Sequence, residues 1–97
     1  MSGPLAGIRV LDVSRILAGP WAGQLLGDYG ADVIKIEKPG AGDDTRTWGP
    51  PFVKDADGND TSESTFYLSA NRNKRSVAID ISTRDGQGLI RRLLGKC

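Results

Sequence analysis

Ile8-Arg9-Val10-Leu11-Asp12 and Asp32-Val33-Ile34-Lys35-Ile36 bracket the segment whose reading decides the fold. Both are short runs rich in branched aliphatics, the composition of strands buried in a sheet. Between them, Pro20 fits the first turn of a helix, where its missing N–H costs nothing. Ala22, Leu25, Leu26 and Tyr29 recur at i, i+3, i+4 and i+7, the spacing of one apolar helix face. Gly30 follows and suits a left-handed C-terminal cap. Strand, helix and strand over residues 8–36 make a βαβ unit, with parallel strands and a right-handed crossover.

Outward from this unit the pattern changes. Residues 37–61 carry Pro39, Gly40, Gly42, Gly49, Pro50, Pro51 and Gly58 among polar residues, with little periodicity, and read as one long loop. A loop of that length in a compact domain is a functional or partner-wrapping segment. Residues 62–68 open a short helix that packs Phe66, Tyr67 and Ala70. Residues 76–81, Ser-Val-Ala-Ile-Asp-Ile, form a third strand. A last helix follows, with Thr83 as N-cap, Asp85 near its positive end, and Leu89, Ile90, Leu93 and Leu94 as its apolar stripe. The order is an α/β open parallel sheet with flanking helices, and two helices cover such a sheet incompletely. The chain therefore reads as part of a larger fold, with an uncovered sheet edge that favours association in isolation.

Composition excludes several chemistries. Thirteen Lys and Arg against 12 Asp and Glu leave a net charge of +1, so no global field draws the chain to nucleic acid or to an anionic membrane. With no His, and one Cys at position 97, His-based catalysis, disulfide scaffolds and multi-cysteine metal sites are out of reach. No metal is expected. No apolar run approaches the ~18 residues of a membrane span. Residues 1–7 lack a basic start and an apolar stretch, so the expected location is cytoplasmic.

Four segments invite a functional reading. Leu17-Ala18-Gly19-Pro20-Trp21 lies beyond the end of the first strand at a helix N-terminus, where open α/β sheets bind ligands; an ordinary tight turn is the alternative. Asn71-Arg72-Asn73-Lys74-Arg75 is a solvated run, a nucleic-acid patch or a site for a phosphorylated ligand, and the near-neutral charge speaks against nucleic acid. Pro39-Gly40-Ala41-Gly42-Asp43-Asp44-Thr45-Arg46 lacks the Lys-Ser/Thr pair of a P-loop and the third Gly of a dinucleotide fingerprint, and reads as a flexible turn. Asp55-Ala56-Asp57-Gly58-Asn59-Asp60 faintly resembles a calcium loop, but Phe66 stands where the bidentate Glu belongs; a hydrophilic turn is the better reading.

Taken in order, Gly7-Ile8-Arg9-Val10-Leu11-Asp12, Ala18-Gly19-Pro20, Gly30-Ala31-Asp32-Val33-Ile34-Lys35-Ile36-Glu37, the Pro39 to Arg46 run and Asn71-Arg72-Asn73-Lys74-Arg75-Ser76 resemble the N-terminus of the class III CoA-transferases, the CaiB/BaiF family. The run from Pro39 to Val53 looks most like the succinyl-CoA-dependent dicarboxylate branch, and formyl-CoA:oxalate transferases share the opening. The resemblance implies that residues 1–97 are the N-terminal part of a Rossmann-like CoA-binding domain, in a longer enzyme that forms interlocked homodimers. Its substrates would be an acyl-CoA and a carboxylic acid. It implies that Ile16, Leu17 and Ala18 line the coenzyme A site with their backbone. Lys38, where the family usually has Arg, would contact the nucleotide end. Ala70, Asn71, Arg72 and Asn73 would form a further coenzyme A-contacting turn. Arg to Lys keeps the charge and loses the planar fork that stacks on adenine.

The family's nucleophilic Asp, which forms an aspartyl-CoA intermediate, matches no Asp here and falls beyond residue 97. The 97-residue chain alone is expected to be inactive. A catalytically inactive CoA-binding module, and a portion of an α-methylacyl-CoA racemase-like enzyme of the same family, are the alternative readings.

Overall fold

The computed structural model of the chain describes residues 3–97. Strands β1 (Arg9–Asp12), β2 (Asp32–Glu37) and β5 (Lys74–Ala78) form a parallel sheet in the order β1-β2-β5. Helix α1 (Ala18–Asp28) makes the crossover from β1 to β2, as the aliphatic runs imply. Val10 pairs with Val33, and Lys35 with Ser76, so β2 is the covered central strand. Gly30 follows α1 at φ +105°, the left-handed position that a residue with a Cβ resists.

Alternation along β2 gives the sheet two unlike faces. Ile34 and Ile36 join Ile79, Leu11, Ile90 and Leu93 in the apolar core, under helix α3 (Arg84–Leu94). Thr83 caps α3 as its sequence suggests, its Oγ1 accepting from Gly86 N at 3.0 Å. Only Ile90 and Leu93 of its stripe pack on the core, whereas Leu89 and Leu94 are exposed. The opposite sheet face carries Val33, Lys35 and Glu37 beside Asp12, Lys74 and Ser76, and apart from Val33 its interior is ionic.

That ionic face explains how α1 sits. The spacing of Ala22, Leu25, Leu26 and Tyr29 marks them as the packing face, but all four are exposed, and Pro20, Gly23, Gln24 and Gly27 are buried instead. The small residues let the helix backbone approach closely, Gly23 against Asp12 and Lys74 and Gly27 against Asn73 and Val33, and the leucines are left outside. A Cβ on Gly23 would lie 2.7 Å from Asp12 Oδ2. Trp21, Leu25 and Tyr29 are each more than half exposed on the outer side.

Two further expectations need correction. Residues 37–61 are not one structureless loop: a 3-10 turn at Asp44–Thr47 precedes an antiparallel hairpin of β3 (Phe52–Lys54) and β4 (Asp60–Ser64). Its polar tip is the Asp55 segment, whose Oδ1 accepts from Asp57 N and Asn59 N, both at 2.9 Å. Ser64 then caps the short helix α2 (Thr65–Ala70), which buries Ala70 completely but leaves Phe66 exposed.

The third strand begins at Lys74 and ends at Ala78, in place of residues 76–81. It stops where β2 stops, because Glu37 pairs with Ala78; Ile79 N adds one more bond to Glu37 O at 2.9 Å before the chain turns into α3. Among the described residues no helix is long and apolar enough to cross a membrane.

Candidate functional site

All three parallel strands end on one side of the sheet, and a cleft of about 450 Å³ opens there. Val13, Ile36, Ile79 and Ile81 give it an apolar floor, and Arg15 and Lys38 stand at its rim. Both cations lean on Asp44, Arg15 at 3.5 Å and Lys38 at 3.8 Å. Their side chains are exposed, so these pairs are weak and each cation is available to an incoming anion.

The turn leaving β1 is clamped from below. Lys35 Nζ donates to Ser14 O at 3.1 Å and pairs with Asp43 Oδ2 at 2.8 Å, both side chains fully buried. Asp43 accepts Ile16 N at 3.1–3.2 Å on its two oxygens, and Thr45 N and Oγ1 at 2.9 and 2.8 Å. Ile16 stands at φ +73°, uncommon for a β-branched residue. Burial alone would raise the Asp43 carboxyl, but Lys35 and the Thr45 and Ile16 donors outweigh it and hold it low. The Pro39 to Arg46 run is therefore not a flexible turn: Asp43 and Thr45 are buried anchors.

A second network adjoins the first. Arg46 grips Glu37 with two bonds of 2.7 Å, Tyr67 Oη donates to Glu37 Oε2 at 3.1 Å, and Asp43 N donates to Glu37 Oε1 at 2.8 Å. Ser76 Oγ also donates to Glu37. Burial pushes Glu37 up, yet these donors win and bring it down to about 2. Tyr67, buried and facing that carboxylate, rises to about 12, and the Arg46 guanidinium lies 3.8 Å above its ring.

The third pair is Lys74 with Asp12, 2.8 Å apart and shielded from solvent. Burial draws the Lys74 ammonium below its usual value, against the pull of Asp12. Lys74 also donates to Pro20 O and Asn71 Oδ1, each at 2.8 Å. Arg72 and Arg75 pair with Asp28 and Asp32. The cation cluster thus works inside the chain, tying β5 to α1 and β2.

The residues singled out from the sequence fall into two groups. Ile16, Leu17, Ala18 and Lys38 lie at the carboxyl edge, where contacts of Ile16 with Asp43 and of Lys38 with Asp44 join their two loops. Ala70, Asn71, Arg72 and Asn73 lie at the entrance to β5, against α1. Ala70 and Asn71 are buried, Arg72 N donates to Gln24 Oε1 at 2.9 Å, and Asn73 Nδ2 donates to Asp28 at 2.9 Å. Only the Asn71 amide, through Lys74, reaches toward the first turn of α1. Sequence reasoning missed Lys35, Glu37, Asp43 and Arg46 as a unit. The signal was there: after Asp32, the charges of Lys35 and Glu37 alternate with Ile34 and Ile36 along the strand.

Parallel strands in this order, a helical crossover and a cleft at the carboxyl edge define a Rossmann-like α/β fold. Residues 5–97 match CoA-transferase family III, and the chain belongs to that family. It is 58% identical over 91 residues to a succinate–glutarate CoA-transferase of Agrobacterium fabrum, covering 94% of this chain and 22% of that protein. It is 55% identical over 94 residues to the human succinyl-CoA:glutarate CoA-transferase, covering 97% and 20% respectively. A crystal structure of a CaiB/BaiF family protein from Brucella suis superposes with a TM-score of 0.86 at 48% identity, covering all of this chain and 25% of that one. The chain spans about a fifth of the length of the curated relatives it matches.

Proposed function

We propose that this chain is the coenzyme A-binding N-terminal portion of a CoA-transferase that moves CoA from succinyl-CoA to a dicarboxylate. The observation that carries the proposal is the 58% identity to a succinate–glutarate CoA-transferase across 94% of the chain. The cleft chemistry is compatible with it. Coenzyme A brings phosphates, which suit the exposed cations Arg15 and Lys38 that Asp44 holds only weakly, and an extended thiol arm, which suits an apolar floor. Ile16, Leu17 and Ala18 would offer backbone groups to the ligand, with Ala70, Asn71, Arg72 and Asn73 as a second contact turn.

The chemistry belongs to an Asp beyond residue 97. Its carboxylate attacks the succinyl-CoA carbonyl, forming a mixed anhydride and expelling CoA thiolate. The thiolate attacks the aspartyl carbonyl, giving an aspartyl thioester and free succinate. The acceptor carboxylate attacks that thioester, and the thiolate released then attacks the acceptor's carbonyl in the new anhydride. Product acyl-CoA leaves and the Asp carboxylate is restored. These steps balance without a metal or a redox group. The assembled enzyme is read as a cytoplasmic homodimer.

The test compares the 97-residue chain with the same chain extended along its reading frame to the length of its relatives. With succinyl-CoA and glutarate, chromatography should find glutaryl-CoA formed by the long form and none by the short one. A long form that binds CoA but transfers it to no dicarboxylate would overturn the reaction, and turnover by the short form would overturn the placement of the nucleophile.

A further inference from the structure

We propose that Asp43, braced by Lys35, is a positioning residue that locks the turn after β1 so that the backbone at Ile16, Leu17 and Ala18 is presented to coenzyme A. The proposal rests on the reading of that turn as coenzyme A-binding. Its own support is geometric. Lys35 takes the carbonyl of Ser14 and Asp43 takes the N–H of Ile16, so one buried ion pair holds the turn at both ends. At the second hold, immediately after the bonded N–H, Ile16 turns into the left-handed region at φ +73°.

A β-branched residue avoids that conformation, and it persists only where the surroundings over-determine it. Glycine would meet the same geometry without strain. Strain kept at a non-glycine position beside a cleft points to function, because a purely structural turn is more simply made with Gly. The bracing is also heavier than packing requires. A buried ion pair is a poor way to fill space, since well-packed apolar residues of similar volume are often at least as stabilising. Asp43 directs both oxygens at Ile16 N, and its own N–H is held in turn by Glu37. The clamp is thus anchored through Glu37 and Arg46 to the centre of the sheet.

Three variants decide it. Asp43→Asn leaves one acceptor oxygen where two served; the Ile16 amide should exchange slowly with deuterium in the wild-type chain and much faster in this variant, while the α1 amides stay protected in both. Titrated with CoA, this variant should bind at least about tenfold more weakly, the worth of one hydrogen bond to a charged group. In an Ile16→Gly background the same substitution should cost clearly less, because the turn no longer has to be forced into the left-handed region. Ile16→Pro removes the N–H and forbids φ +73° while keeping the Lys35–Asp43 pair, so it answers the question if Asp43→Asn fails to fold.

Wild-type affinity for CoA in Ile16→Pro, or an Ile16 amide still protected in a folded Asp43→Asn, would overturn the proposal. An equal loss from Asp43→Asn in both backgrounds would also overturn it, marking general support of the fold. If the wild-type chain binds no CoA, the reading of the site fails; exchange at Ile16 then still shows whether the clamp holds the turn.

Discussion

Replacing Gly23 by Ala should destabilise the chain, although the same change at Gly88 should stabilise it. In a helix interior Ala is favoured over Gly by about 1 kcal/mol, so propensity alone predicts a gain at both positions. At Gly88, within α3, a new Cβ meets nothing within 4 Å, and the gain of about 0.5–1 kcal/mol should appear in full. At Gly23 the Cβ would stand 2.7 Å from Asp12 Oδ2 and 3.3 Å from Lys74 Nζ. Neither group can yield easily. Asp12 is held by Ser14 N at 2.9 Å, and Lys74 by Pro20 O and Asn71 Oδ1 at 2.8 Å. Overpacking costs about 1–3 kcal/mol, and complete loss of a buried pair about 3–5 kcal/mol. Overpacking with the pair partly loosened falls between these figures, at about 2–4 kcal/mol, so after a propensity gain of about 1 kcal/mol a net loss of about 1–3 kcal/mol remains. Urea titration at micromolar chain concentration, followed by the fluorescence of Trp21 and Trp48, measures both variants. A Gly23→Ala chain as stable as wild type, or more so, would refute the docking of α1 on the ionic sheet face.

Other outcomes follow from the same structure. Glu37 sits at about 2 when folded against an ordinary 4.5, so its contribution is present above pH 4.5 and lost as pH falls toward 2. That contribution is about 3 kcal/mol by linkage, and Glu37→Gln should flatten the acid side of a stability–pH curve measured by urea titration. The outer face of α1, with Leu17, Trp21, Leu25 and Tyr29 exposed, should bind a hydrophobic dye and promote association in sedimentation experiments, and Leu25→Glu should reduce both. Lys38→Ala should weaken CoA binding by about fivefold in calorimetry at low salt, with the deficit shrinking as salt rises, whereas Lys38→Arg should tighten it.

The parts of the fold legible in the sequence were those set by local rules. Branched aliphatic runs marked β1 and β2, Gly30 marked the end of α1, and Thr83 marked the start of α3, because each depends on neighbours a few residues away. The packing face of α1 was not legible. Apolar spacing pointed to Leu25 and Tyr29, but the surface under α1 is made of Asp12 and Lys74 with Val33 and Asn73, and only the sheet register reveals that. The same long-range pairing moved β5 back to Lys74, where two cations that look like surface residues enter the sheet. Asp43 read as part of a flexible turn because nothing near it in sequence announces Lys35 beneath it. Ile16, Leu17, Ala18 and Lys38 were found by resemblance to a family, and the structure adds what fixes their loops.

The central claim is that the carboxyl edge of this sheet receives coenzyme A, and amide chemical shifts of the chain titrated with CoA test it most directly. The account predicts shifts concentrated at residues 14–18 and 38–44, with any at 70–73, on the amino side of the sheet, only in addition to these. No shifts at saturating CoA, or shifts confined to the opposite edge around Arg9 and Asp32, would contradict it.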